Sequence, residues 1–277
     1  MPIQLQAAGL TDRGRRREEN EDTIYHKIVP DSDEDATGLF IVADGIGGRL
    51  AGEAASYWAV ETIKTSLSDL IGYRDPRATH QFDREELLYL HNTPGIDPDN
   101  LQDRIVAAVR RANDAVRGYA HHLPNEARDA GSTLSMALVR GLQAYVANVG
   151  DSRTYLLREG HLGQITVDHS LVQKLIDEGS VQPAQRYTHP QRNVIYRSLG
   201  ATDGVEVDTY TVRLTPGDFL LLCSDGLWEM VQSPAEIAAI IQNSPSLERA
   251  CQELVAAANA AGGEDNIGVV IARVLDD

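Results

Sequence analysis

The chain has 277 residues, 42% hydrophobic and 24% charged, a balance that belongs to folded domains and excludes the low-hydrophobicity disordered class. Acidic residues outnumber basic ones 41 to 25, giving a formal net charge of −16. That opposes a nucleic-acid partner or an anionic membrane surface, both of which need a basic footprint.

The two cysteines, Cys223 and Cys251, form no CxxC and have no close histidine, so neither a disulfide framework nor a Cys-based zinc site is readable. Two buried thiols in a reducing compartment are expected. No run approaches the ~20 apolar residues of a membrane span, and the first twenty residues lack an apolar core of signal-peptide length. The expectation is a soluble cytoplasmic protein with no membrane contact.

Short branched apolar runs bounded by Gly, Asp or Asn predict strands near 3–9, 22–29 and 38–44. Residues 51–69 then carry Ala54, Ala55, Trp58, Ala59, Thr62 and Ile63 at helix spacing. A second amphipathic helix is expected over 101–120, from Leu101, Ile105, Ala108, Val109, Ala112 and Val116. Between the two, residues 70–100 mix prolines and charges and read as an extended connection.

Further strands are expected near 131–139, 142–149, 153–158, 162–166, 205–213, 218–224 and 266–274, with a hairpin at Arg158-Glu159-Gly160-His161. A short helix around Leu171 to Glu178 precedes an irregular stretch, 179–197, that carries Arg186, Tyr187, His189 and Arg192. Ser233-Pro234-Ala235-Glu236 has the form of a capping box with Pro at the first helical position. A last helix runs from about Pro245 to Ala261 and stops at Gly262-Gly263. The order is not the alternation of a doubly wound parallel sheet, so mixed or antiparallel sheets flanked by helices fit better. No linker or repeat divides the chain, and one domain over 1–277 is expected.

Acidic motifs stand at the ends of these strands: Asn20-Glu21-Asp22, Asp44-Gly45-Ile46-Gly47-Gly48, Gly150-Asp151-Ser152-Arg153, Ser224-Asp225-Gly226 and Glu264-Asp265-Asn266. Each Asp-Gly alone is an ordinary turn. Together they matter, because strands of one sheet can bring Asp44, Asp225 and Asp265 to a common end, where like charges oppose one another unless cations intervene. Oxygen ligands without a usable His or Cys set point to Mg²⁺ or Mn²⁺. Two such ions can activate a water for attack on phosphorus. Arg17, at the end of Arg13-Gly14-Arg15-Arg16-Arg17, is placed to hold a phosphate.

The ordered set Arg17-x-x-Asn20-Glu21-Asp22, Asp44-Gly45-x-Gly47-Gly48, Gly131-Ser132-Thr133, Gly150-Asp151-Ser152-Arg153, Ser224-Asp225-Gly226-Leu227-Trp228 and Glu264-Asp265-Asn266-Ile267 resembles the metal-dependent Ser/Thr protein phosphatases of type 2C, in their bacterial form. The resemblance spans residues 9 to 274. It implies an α+β fold, a four-layer α-β-β-α sandwich of two antiparallel sheets flanked by helices. It also implies hydrolysis of phosphoserine and phosphothreonine by direct attack of a metal-bridging water.

Carried over by position, the resemblance makes Asp44 the bridge between two Mn²⁺ or Mg²⁺ ions, with the Gly45 carbonyl on one of them. Glu21 serves one ion, Asp225 and Asp265 the other; Asp22 orients water and Arg17 holds the phosphate. Asp151 with Asp225 matches the third-ion pair of many bacterial members, while Ser152 and Asn266 brace turns. Residues 179–197 match the flap beside the site, a candidate for substrate choice, and 70–100 an insertion. Implied partners are phosphoprotein substrates and a Ser/Thr kinase, and the expected state is a monomer.

One position departs from the pattern. Where eukaryotic members often carry a histidine that protonates the leaving group, this chain has Ile46. A metal-bound water or His189 would have to replace it. The rival readings are a pseudo-phosphatase that sequesters phosphoproteins, which predicts lost ligands, and a metal-dependent phosphodiesterase, which the charge of −16 opposes.

Overall fold

A computed structural model describes residues 3–29, 36–48, 50–72, 100–122 and 130–275. The chain opens with strands β1 (Leu5–Asp12), β2 (Asp22–Val29) and β3 (Thr37–Ile46), followed by helices α1 (Leu50–Ser66), α2 (Ser68–Ile71) and α3 (Leu101–His121). Strands β4 (Gly131–Ser132), β5 (Leu134–Arg140), β6 (Gln143–Val149), β7 (Arg153–Arg158) and β8 (His161–Gln164) come next. After them lie α4 (Leu171–Asp177), a 3-10 helix (Pro183–Thr188), β9 (Asp208–Arg213) and β10 (Phe219–Cys223). Helices α5 (Asp225–Trp228), α6 (Pro234–Asn243) and α7 (Leu247–Ala260) lead into β11 (Ile267–Val274).

Every strand pairing is antiparallel. One sheet has the order β1-β11-β10-β7-β8; the other has the order β2-β3-β5-β6-β9, with β4 added on β3. Strand β3 shows why two sheets stack. Its side chains alternate with period two, so Leu39, Ile41 and Ala43 enter a core shared with α1 and α3. Phe40 and Val42 enter a second core, facing Leu220, Leu222, Val270 and Ala272 of the opposite sheet. A third core lies between that opposite sheet and α5, α6 and α7. The layers run α-β-β-α, the expected sandwich.

Several boundaries differ from the sequence expectation. Strand β1 continues to Asp12, because all eight of its residues pair with β11. The run 131–139 divides at Thr133, whose N–H donates to the Asp44 carbonyl while its Oγ1 accepts the Asp44 N–H. The first helix breaks at Leu67, and a separate short turn follows. Trp58 is 40% exposed; the buried stripe of α1 is Ala51, Gly52, Ala55, Ser56, Ala59, Val60 and Ile63. β8 ends at Gln164 and β9 begins only at Asp208.

Other expectations hold. Arg158 and His161 close the hairpin, Ser233 Oγ accepts the Glu236 N–H, and α7 ends where Gly263 N–H returns to the Ala258 carbonyl. Cys223 and Cys251 are both unpaired and buried, and burial lifts the Cys251 thiol to about 12. Among the described residues no helix is long and apolar enough to cross a membrane. Most of the 70–100 connection, and the Asp31-Ser32-Asp33-Glu34-Asp35 run, lie outside the described residues.

Candidate metal centre

Two strands place the first carboxylates. Asp22 and Asp44 stand opposite each other in the β2–β3 ladder, in phase with Ile24, Phe40 and Val42, which face the space between the sheets. The opposite sheet closes over them. Ser224 Oγ donates to Asp22 Oδ2 at 2.6 Å and accepts the Gly268 N–H at 2.8 Å, so one hydroxyl ties β2 to β10 and β11. A Cβ on Gly268 would stand 3.0 Å from Asp22 Oδ2, which shows how closely the strands approach there.

The remaining ligands come from turns fastened to this end. Glu21 N–H donates to Asn266 Oδ1 at 2.8 Å, while the Glu21 carbonyl accepts Ser56 Oγ–H at 2.6 Å and Gly45 N–H at 3.1 Å. Asn266 also donates to the carbonyls of Arg13 and Glu19, and so joins the start of the chain to the turn that carries Asp265. Asp225 begins α5 rather than ending a strand. α5 lies so close to the Asp265 turn that a Cβ on Gly226 would come within 1.9 Å of the Asn266 carbonyl. Asp151 follows β6, and its carbonyl accepts the Trp228 indole N–H at 3.1 Å. Ser152, expected to brace its turn, meets Thr133 Oγ1 at 2.6 Å.

All of the candidate carboxylates from the sequence therefore gather at one end of the sandwich. Asp22 and Asp151 are buried, 6% and 5% exposed, whereas Glu21, Asp44, Asp225 and Asp265 are partly open at the rim. Burial raises the Asp44 pKa well above its ordinary value, and the charges of Asp22, Asp225, Asp151 and Asp265 all push it further. Asp225 is raised in the same way by burial, then Asp151 and Asp265. Asp22 is pushed up to about 7 by burial, against the Ser224 hydrogen bond; Asp151 is pushed up to about 7 by burial and then Asp168.

These donors fit hard divalent ions. They are all oxygen, mutually repulsive, and two of the buried oxygens, Asp22 Oδ1 and Asp225 Oδ1, have no hydrogen-bond partner among the described residues. Among the described residues, however, no three His, Cys, Asp or Glu side chains close on a single point. Arg17 stands on Asp265 instead, its guanidinium 2.5 Å from Asp265 Oδ2 and its side chain 53% exposed. Burial opposes its charge, but the hydrogen bond and charge of Asp265, with Asp225 and Glu21 behind them, raise its pKa on balance. His189 holds the Gln191 N–H on Nδ1 within its own turn.

Sequence reasoning gave no role to Gly52 or Thr133. A Cβ on Gly52 would lie 2.3 Å from Glu21 Oε2, so any larger residue there makes the Glu21 carboxylate shift from this position. The available signal was a glycine within a helical pattern, where alanine is the better helix former. Thr133 was visible in Gly131-Ser132-Thr133, but its grip on the backbone of Asp44 needs the partner strand.

A family model described as protein phosphatase 2C matches residues 13–261, and the chain belongs to that family. The serine/threonine phosphatase stp of Listeria innocua is 33% identical over 269 residues, covering 96% of this chain and 95% of that one. The serine/threonine protein phosphatase PstP of Mycobacterium tuberculosis is 35% identical over 274 residues, which are 98% of this chain and 45% of that longer protein. Among solved structures, the S. agalactiae serine/threonine phosphatase superposes with a TM-score of 0.79 at 29% identity, over 98% of this chain and all of that one. The catalytic domain of PstP in complex with two manganese ions gives 0.76 at 33% identity, over 99% of each chain.

Proposed function

We propose that this chain is a metal-dependent phosphoprotein phosphatase that hydrolyses phosphoserine and phosphothreonine and takes two Mn²⁺ or Mg²⁺ ions. The observation that carries the reading is Asp44, a carboxylate at the open end of a sandwich that feels the charges of four others, in a family whose matched members include a manganese-bound Ser/Thr phosphatase. Bound ions would offset this charge and supply an activated water for attack on phosphorus.

The roles assigned to the chain's residues are part of the proposal. Asp44 would lie between the two ions, with Glu21 and the Gly45 carbonyl on one and Asp225 and Asp265 on the other. Asp151 with Asp225 would take a third, a pairing supported by Asp151 being the first charge that acts on Asp225. Asp22, fixed through Oδ2 by Ser224, keeps Oδ1 free to orient water. Arg17, exposed at the rim, can exchange Asp265 for phosphate oxygens.

Several coarser features belong to the same reading. Residues 1–277 would form one phosphatase domain, acting as a monomer. Unpaired buried cysteines support a reducing compartment, the cytoplasm. Phosphorylated serine and threonine are products of kinases, so a Ser/Thr kinase is the proposed counterpart in the cell.

The test is hydrolysis of a phosphothreonine peptide by the full chain. Turnover with Mn²⁺, its loss in EDTA and its loss in Asp225→Asn are expected; activity that survives EDTA would refute the metal-dependent account. Running a phosphodiester alongside separates the phosphodiesterase alternative.

A further inference from the structure

The 3-10 helix at 183–188 buries none of its residues fully, and its apolar contact with the core is the partly buried Tyr187. The rest of its attachment is polar, and one of these polar contacts reaches inward. Arg186 Nη1 donates to Asp168 Oδ2 at 2.5 Å, and Arg186 Nη2 donates to Gln173 Oε1 of α4. Asp168 is 1% exposed. It also accepts Arg153 Nε at 2.8 Å and Gln164 Nε2 at 2.9 Å on Oδ1, and Arg153 Nη2 at 2.6 Å on Oδ2. The Arg153–Asp168 pair is bidentate by itself, so Arg186 is a second cation on a carboxylate already paired.

Beyond Asp168, the contacts lead to the carboxylates. The Arg153 guanidinium lies 3.4 Å from the Trp228 ring centroid, and Trp228 both ends the helix that Asp225 begins and donates to the Asp151 carbonyl. Tyr187, next to Arg186, packs against the same indole with ring centroids 6.3 Å apart. Farther along, Arg192 faces Glu229 and Glu264 at 3.7 Å, one residue from Asp265.

We infer that Arg186, through the Asp168–Arg153–Trp228 stack, positions segment 179–197 against the Asp151 and Asp225 edge of the centre, and that this placement holds a phosphopeptide for hydrolysis. Arg186 is a positioning residue: its bonds go to Asp168 and Gln173, not to a reacting atom. The positioning stands on the contacts alone, whereas the substrate-holding half rests on the phosphatase reading.

Hydrogen exchange on the full chain with Mn²⁺ tests the first half. In Arg186→Gln the amides of 180–192 should exchange about tenfold faster than in wild type, the factor expected for roughly one lost charge-assisted hydrogen bond. Arg186→Lys, which keeps the charge, should fall between, and β10 and β11 should not change. Equal exchange in wild type and Arg186→Gln overturns the positioning, and Arg186→Lys decides the matter if the glutamine variant does not fold.

For the second half, Arg186→Gln should raise KM for a phosphothreonine peptide about tenfold, with kcat within about twofold of wild type, and Arg186→Lys should recover part of the loss. A fall in kcat at unchanged KM overturns it. If wild type hydrolyses no phosphopeptide, the phosphatase reading and the substrate-holding half fail together, while the exchange comparison still decides the positioning.

Discussion

Asp44 occupies a costly position for an anion, half-enclosed and pressed by four other carboxylates. Replacing it with asparagine removes both the repulsion and the ligand, so two opposite effects are expected. In EDTA near neutral pH, Asp44→Asn should melt above wild type, since asparagine needs neither to keep a proton there nor to bear its neighbours' charge. With Mn²⁺ the order should invert, and kcat/KM should fall at least about a hundredfold, the scale of one lost transition-state electrostatic contact. Thermal melts with and without Mn²⁺ check the first pair, and steady-state kinetics the last. Gly52→Ala tests the neighbouring ligand: the added methyl meets the Glu21 carboxylate, so the Mn²⁺ concentration for half-maximal activity should rise by about tenfold or more. An unchanged metal titration would refute the coupling between position 52 and metal binding. Of these two residues, Asp44 was legible from its Asp-Gly motif and apolar strand. The crowding of position 52 by Glu21 was not, because it depends on where Glu21 lies.

At the scale of elements, the strands were the easier reading. Leu39-Phe40-Ile41-Val42 is apolar at every position because both faces of β3 are covered, one by helices and one by a sheet. Helix α1 was harder. Its apolar pattern includes Trp58, but the close contact with α3 and β3 selects the stripe of small residues and leaves the indole 40% exposed. Truncation should separate the two environments. Phe40→Ala, in the core between the sheets, should cost about 3–5 kcal/mol, whereas Trp58→Ala should stay within about 0.5 kcal/mol. Urea unfolding of the two variants measures both, and comparable losses would contradict the layer assignment.

Across the whole molecule, the metal centre should give the ion-free protein an unusual pH profile. Asp22 and Asp151 are pushed up to about 7, and Asp44 and Asp225 are raised as well. In EDTA the folded state therefore keeps protons that the unfolded chain has released above about pH 4. The sign follows from proton linkage: raised folded-state pKa values give stability that is present at low pH and lost as pH climbs toward about 7. His169, whose pKa burial lowers from 6.5, works the other way below that pH and offsets part of the trend. The urea midpoint in EDTA should be lower at pH 7.5 than at pH 5, and Mn²⁺ should remove the difference, because ions replace the protons. A midpoint that rises with pH in EDTA would refute this account.

Residue order and type were sufficient for mixed or antiparallel sheets flanked by helices and for the ordered acidic motifs, and the two-sheet sandwich and the full set of carboxylate ligands followed from the family resemblance those motifs carry. Alternation, glycine turns and acidic strand ends are local or ordered signals that survive in one dimension. Tertiary structure alone decided that Asp225 opens a helix, that Thr133 grips the Asp44 backbone, that Gly52 makes room for Glu21 and that Arg186 shares Asp168 with Arg153. The first is a four-residue turn too short to show a helical pattern, and the others depend on distances between separate segments, of which spacing along the sequence carries no measure.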